Sequence, residues 1–190
     1  MSKSVCVYCG SHNGARPEYM AAARHLGQLI AECNLQLIYG GGSVGLMGVL
    51  ADSVLAEGGR VTGIIPEQLA ERELAHRELT QLRVVTGMHS RKALMAELSD
   101  AFIAMPGGMG TLEELFEVLT WSQLGLHSKP CGVLNILDYY EYLLGFLDHQ
   151  VAEGFLNEQQ RNQLQVSKDP RHLLELVGFT PAAGVQVDGN

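Results

Sequence analysis

Short apolar runs alternate with longer amphipathic segments along almost all of this 190-residue chain. Val5–Ser11, Leu35–Tyr39, Arg60–Ile65, Leu82–Thr86, Ala101–Met105 and Cys131–Ile136 are the apolar or β-branched runs, most of them closed by glycine or proline. Between them, Pro17–Cys33 carries Tyr19, Ala22, Ala23, Leu26, Leu29 and Ile30 at helical spacing. Leu46–Leu55, Gln68–Glu78, Ser90–Leu98, Thr111–Leu124, Tyr139–Ala152 and Pro170–Leu176 also read as helices. Strands separated by helices pair in parallel, because a parallel connection needs a crossover. Strands apolar on both faces need helices on both faces. With right-handed crossovers the expected fold is α/β: a single Rossmann-like, doubly wound parallel sheet. One domain over residues 1–180 accommodates every element, and the small, polar residues 181–190 are expected to form a disordered tail.

Composition narrows the function. The net charge is −8, with 13 Lys+Arg against 21 Asp+Glu, and no basic run is present. That balance predicts neither a nucleic-acid nor a membrane-surface partner. No apolar stretch reaches the ~20 residues of a membrane span, and the start MSKSVCVYCG lacks the form of a signal peptide. Four scattered cysteines imply a reducing, cytoplasmic setting.

Three tempting motifs carry less than they promise. Cys6 and Cys9 form a C-x-x-C, but inside the first strand, where residues three apart point to opposite faces. Two small buried side chains are the simpler reading. Gly40–Gly45 matches G-x-G-x-x-G, yet it follows the second strand, and no acid closes the next one. Gly41 and Gly42 are candidates for a phosphate- or ribose-contacting loop, with close helix–strand packing as a serious competitor. The four lysines suggest no Schiff base, and the seven histidines lack metal-ligand spacing, so neither a cofactor nor a metal is predicted.

Pro106-Gly-Gly-Met-Gly-Thr-Leu-Glu-Glu114 is sharper. It follows a buried strand and opens the strongest helix. Converging glycine amides at a helix N-terminus favour phosphate. Thr111-x-x-Glu114 is equally a capping box, and the pattern alone leaves the two level. On this helix Leu112, Leu115, Phe116 and Leu119 form the stripe expected to face the sheet. Glu114, Val118 and Trp121 then lie opposite and call for a second subunit. Arg91 and Lys92 open another helix after the fourth strand, where the dipole disfavours cations, which mildly favours an anionic ligand.

These segments, with Met88–Lys92, Gly40–Gly48 and Leu119–Pro130, resemble the LOG ("Lonely Guy") family of cytokinin riboside 5′-monophosphate phosphoribohydrolases, from about Val5 to Leu156. The resemblance implies a Rossmann-like homodimer that hydrolyses the N-glycosidic bond of purine nucleoside 5′-monophosphates to free base and ribose 5-phosphate. It implies Arg91 and Glu114 as catalytic residues. It also implies substrate contacts from Arg91, Lys92, the loop Gly107, Gly108, Met109, Gly110, Thr111, Leu112, Glu113 and Glu114, and Thr120, with Glu73 at a variable stretch. Met109 stands where the family often has Tyr, a change that a backbone-driven phosphate loop tolerates. A non-catalytic nucleotide carrier or sensor on the same fold is the alternative, as is a nicotinamide-dependent oxidoreductase; the missing strand-end acid disfavours the latter.

Overall fold

The computed structural model describes residues 3–70 and 75–180. Seven strands form one sheet: β1 (Ser4–Tyr8), β2 (Gln36–Tyr39), β3 (Arg60–Pro66), β4 (Gln81–Val85), β5 (Ala101–Ala104), β6 (Cys131–Leu134) and β7 (Leu164–Ser167). All six pairings are parallel, in the order β4-β3-β2-β1-β5-β6-β7. The chain winds outward from β1 in one direction, then returns to place β5 on its other side. The reversal leaves a crevice beyond the carboxyl ends of β1 and β5, where open α/β sheets hold their ligands.

The β1 side chains alternate between two cores, as a period of two requires. Val5 and Val7 join the core covered by α1 (Pro17–Glu32), α2 (Gly45–Ala56) and α8 (Pro170–Leu176). Cys6 and Tyr8 join the core beneath α4 (Met88–Glu97), α5 (Met109–Gln123) and α6 (Glu141–Ala152). Helices therefore cover both faces, and the doubly wound expectation holds. Cys6 and Cys9 are buried in opposite cores, so the C-x-x-C is two small core residues. No helix among the described residues is long and apolar enough to cross a membrane.

Several expectations need correction. The helix expected over Gln68–Glu78 is the short α3 (Glu67–Ala70) on the described side, and Ala75 instead bridges Gly42. β7 and α7 (Glu158–Arg161) were not expected: the four residues Leu-Gln-Val-Ser make an edge strand too short and polar to stand out. Residues 181–190 lie outside the described residues.

The facing of α5 also differs from expectation. Thr111, Glu114, Leu115, Val118 and Leu119 are its buried residues, while Leu112 and Phe116 are half-buried. Leu112 and Phe116 are as apolar as the residues that won, so periodicity alone could not fix the rotation. Burying each of Leu115, Val118 and Leu119 contributes about 1.5–3 kcal/mol. Glu114 shares the stripe of Val118, four residues on, and is carried inward with it. Val118, only 1% exposed, needs no second subunit to cover it.

Candidate active site

A cleft of about 630 Å³ opens at the crevice between β1 and β5. Its walls are the loop Gly10–Gly14 after β1, Gly40 after β2, the start of α2, Met88 and Arg91 of α4, and Pro106–Thr111 with Glu113 and Glu114 of α5. Tyr19 and Tyr139 complete the lining.

Helix α5 begins at Met109, with Gly108 in the N-cap position and no side-chain cap. The capping box is therefore absent: Thr111 lies inside the first turn, and Glu114 lies too deep to cap it. The first N–H groups of an α-helix have no intrahelical partner, so those of Met109, Gly110 and Thr111 remain available at the positive end of the dipole. A Cβ on Gly108 or Gly110 would meet nothing within 4 Å, which leaves the approach to these amides open. Gly107 is different, since its Cβ would sit 2.1 Å from Thr111 Oγ1. This glycine permits the turn to close on itself.

Arg91 reaches the cleft from the first turn of α4. Its Nε donates to the carbonyl of Ile64 at 3.1 Å, and its Nη1 lies 3.2 Å from Glu114 Oε1. The guanidinium also lies against Gly40, where a Cβ would stand 1.9 Å from Nη2. A side chain at residue 40 is thus incompatible with Arg91 where it sits. Burial pushes the Glu114 carboxyl up from 4.5 to about 6, against the opposing pull of Arg91. Glu113 adds a smaller upward push. At pH 7 such a group is ionised roughly ten to one.

The structure brings together Arg91, Gly107, Gly108, Met109, Gly110, Thr111, Glu113 and Glu114. It does not bring every expected residue with them. Lys92 is buried, paired with Glu113 and, at 3.1 Å, with Glu117, and these carboxylates hold its pKa above the usual lysine value. It ties α4 to α5 and does not line the cleft. Leu112 packs on the core, and Thr120 is solvent-exposed beyond the cleft. Gly41 packs against Ile64 and Ile65 with φ 76°, and Gly42 bridges Ala75. The triple glycine thus provides close packing here, with Gly40 alone on the cleft. Glu73 lies outside the described residues.

Sequence reasoning missed Gly10–Gly14, Tyr19, Leu69 and Tyr139, and it held Leu46, Met47 and Met88 only as parts of the family-like segments. The Gly10–Gly14 loop was discoverable from the rule that ligands sit where the strand order reverses. Tyr19, Leu69 and Tyr139 carry no local signal.

A family model described as "Possible lysine decarboxylase" matches residues 47–177. A cytokinin riboside 5′-monophosphate phosphoribohydrolase from Rhodococcoides fascians is 54% identical over 168 residues, or 88% of this chain and 85% of its own length. The chain belongs to the LOG family. A LOG enzyme of the same name from Oryza sativa subsp. japonica is 47% identical over 180 residues, 94% of this chain and 74% of its own. Another from Arabidopsis thaliana is 47% identical over 172 residues, covering 90% and 79%. Among solved structures, a molybdenum cofactor binding protein from Rippkaea orientalis superposes with TM-score 0.70 at 25% identity, over 93% of this chain and 96% of that one. A molybdenum cofactor carrier protein from Chlamydomonas reinhardtii shares the fold at TM-score 0.68 and 20% identity, covering 90% and 92%. The decarboxylase wording of the family model has no counterpart in this LOG protein's cleft, which no lysine lines among the described residues.

Proposed function

We propose that the protein hydrolyses the N-glycosidic bond of a purine or cytokinin nucleoside 5′-monophosphate, releasing the free base and ribose 5-phosphate. The observation that carries this is the Arg91–Glu114 pair facing the same cleft as the uncapped N-terminus of α5. The phosphate binds the free amides of the first turn, aided by the Thr111 hydroxyl. That anchors the non-reacting end and holds C1′ near Glu114. As the bond from C1′ to the base lengthens, positive charge grows on the sugar. The Glu114 carboxylate stabilises that charge, then accepts a proton from the water that attacks C1′. The departing base takes up a proton from solvent and Glu114 returns its own to solvent, so one water is consumed for each bond broken. Arg91, fixed by Ile64 and Gly40, keeps Glu114 oriented and ionised.

A nucleotide carrier would need the phosphate loop but not a buried, ionised carboxylate beside the sugar. The names of the 46–54% identical relatives also favour the hydrolase. The protein acts as a homodimer in this reading. Val118 no longer motivates it, but Leu124 and Leu126, each 69% exposed just beyond α5, do. A second subunit packed on α5 is also the arrangement that would bring Thr120 to a cleft. Purified protein incubated with AMP and N6-substituted analogues, with products separated by chromatography, tests the activity; failure to release any base overturns it.

A further inference from the structure

Tyr139 belongs to none of the motifs that mark the family, yet it lines the cleft directly against the phosphate loop. Its hydroxyl donates to the carbonyl of Gly107 at 2.5 Å. The neighbouring Tyr140 donates to the carbonyl of Met105 at 2.6 Å. Two adjacent tyrosines therefore hold the start of the loop at two points, on either side of Pro106. Their rings meet edge to face at 5.0 Å, and Tyr19 packs edge-on to Tyr139 from α1 at 5.9 Å.

The backbone that delivers Tyr139 is unusual. Leu137 and Asp138 both have positive φ, 54° and 60°, a conformation that L-residues other than glycine seldom hold. Neighbours hold it in place. The Asp138 N–H donates to Asn135 O at 3.3 Å, and its carboxylate pairs with Lys168. Asn135 Oδ1 accepts from the Tyr140 N–H at 2.7 Å. Strain maintained in this way beside a ligand cleft points to a functional demand on the residue that follows.

We propose that Tyr139 is a positioning residue for the substrate phosphate, locking the Gly107–Gly108 peptide so that the N–H of Gly108, the N-cap of α5, faces the anion beside those of the first turn. This rests on the phosphate site described under the proposed function. The peptide lies between two glycines, so it can flip with little steric resistance. A trans peptide is planar, with C=O and N–H pointing oppositely. Holding the Gly107 oxygen toward Tyr139 fixes the Gly108 N–H on the other side. Once flipped, the peptide would turn a carbonyl oxygen where a donor had been, and an acceptor repels phosphate. Tyr139 is 43% exposed, so its hydroxyl adds little to the core, while it acts on the loop directly.

The test is Tyr139→Phe, which keeps the ring and removes the hydrogen bond. Two readouts separate this proposal from the catalytic one: ribose 5-phosphate binding by calorimetry, which needs no turnover, and steady-state kinetics with AMP. The expected result is binding of ribose 5-phosphate weakened roughly three- to tenfold, the worth of one hydrogen bond. KM for AMP rises in parallel, kcat stays within about twofold and the melting temperature is unchanged. Unchanged ribose 5-phosphate affinity overturns the proposal. So does a fall in kcat together with a lowered melting temperature, which marks a merely structural tyrosine. If the wild-type protein binds ribose 5-phosphate in a Tyr139-dependent way but releases no base, the catalytic reading fails and this one stands. If the wild type does not bind ribose 5-phosphate at all, the phosphate site and this proposal fall together.

Discussion

The guanidinium of Arg91 lies 3.2 Å from the carboxylate of Glu114, and their side chains are only 11% and 10% exposed. Even so, Glu114 titrates near 6, because withdrawal from water outweighs the neighbouring cation. A pair that served only to hold α4 against α5 would not need a carboxylate made costly in this way. One that must meet developing positive charge, and then take a proton near neutral pH, is helped by it.

Replacing Glu114 with Gln is expected to lower turnover of AMP by roughly 10²–10⁴-fold, the usual loss for a proton-transferring or charge-stabilising group. AMP binding is expected to survive, since the phosphate is held elsewhere. The helix does not depend on Glu114 for a cap. Single-turnover assays and calorimetry measure the two effects separately. More than about a tenth of wild-type turnover would return Glu114 to a structural role.

The acid limb of kcat/KM is expected to fall below a pH of about 6, as Glu114 takes up its proton. Stability runs the opposite way. The folded pKa lies above the ordinary 4.5, so the contribution of Glu114 is full below pH 4.5 and is lost as pH rises through 6. Above that, the buried carboxylate costs on the order of 2 kcal/mol. Denaturant titrations of wild type and Glu114→Gln at pH 4 and pH 8 check this: the Gln variant gains relative stability at pH 8 by about that amount. An equal difference at both pH values would contradict it.

Gly40→Ala places a methyl group where the Arg91 guanidinium now lies. The contact is with the far end of a flexible side chain, so the fold is expected to persist while Arg91 is displaced. A misplacement of about 1 Å near the reacting centre costs roughly 10²-fold in rate. Near-normal turnover in a folded Gly40→Ala variant would show that Arg91 is not needed at its present position.

AMP is expected to react faster than adenosine by roughly 10²-fold or more, given two or more charge-assisted hydrogen bonds of about 1.5–3 kcal/mol each. Parallel kcat/KM measurements decide it. Comparable values for nucleoside and nucleotide would remove the phosphate from the α5 N-terminus.

Light scattering at micromolar concentration is expected to give twice the 20.6 kDa chain mass. A monomer mass would leave Leu124 and Leu126 without a partner and Thr120 without a role in the cleft.

The alternation of apolar runs and amphipathic segments determined, by itself, that this chain forms a parallel sheet with helices on both faces. Each element carries that information within its own residues. The glycine loop at Gly107–Gly110 and the basic pair Arg91-Lys92 were legible for the same reason, being local departures from ordinary strand-to-helix junctions. What the tertiary structure decided depended on comparisons between distant residues. The rotation of α5 put Glu114 inside because Leu115, Val118 and Leu119 won the core over Leu112 and Phe116. Lys92 left the cleft because Glu113 and Glu117, on another helix, claimed it. Gly40 proved the critical glycine of its triplet only because Arg91, 51 positions later, needed the space. Tyr139 became a cleft residue through a left-handed turn of Leu and Asp, which local propensity disfavours. Periodicity reports which faces are apolar, whereas the choice among nearly equal faces and partners is made by packing across the whole sheet.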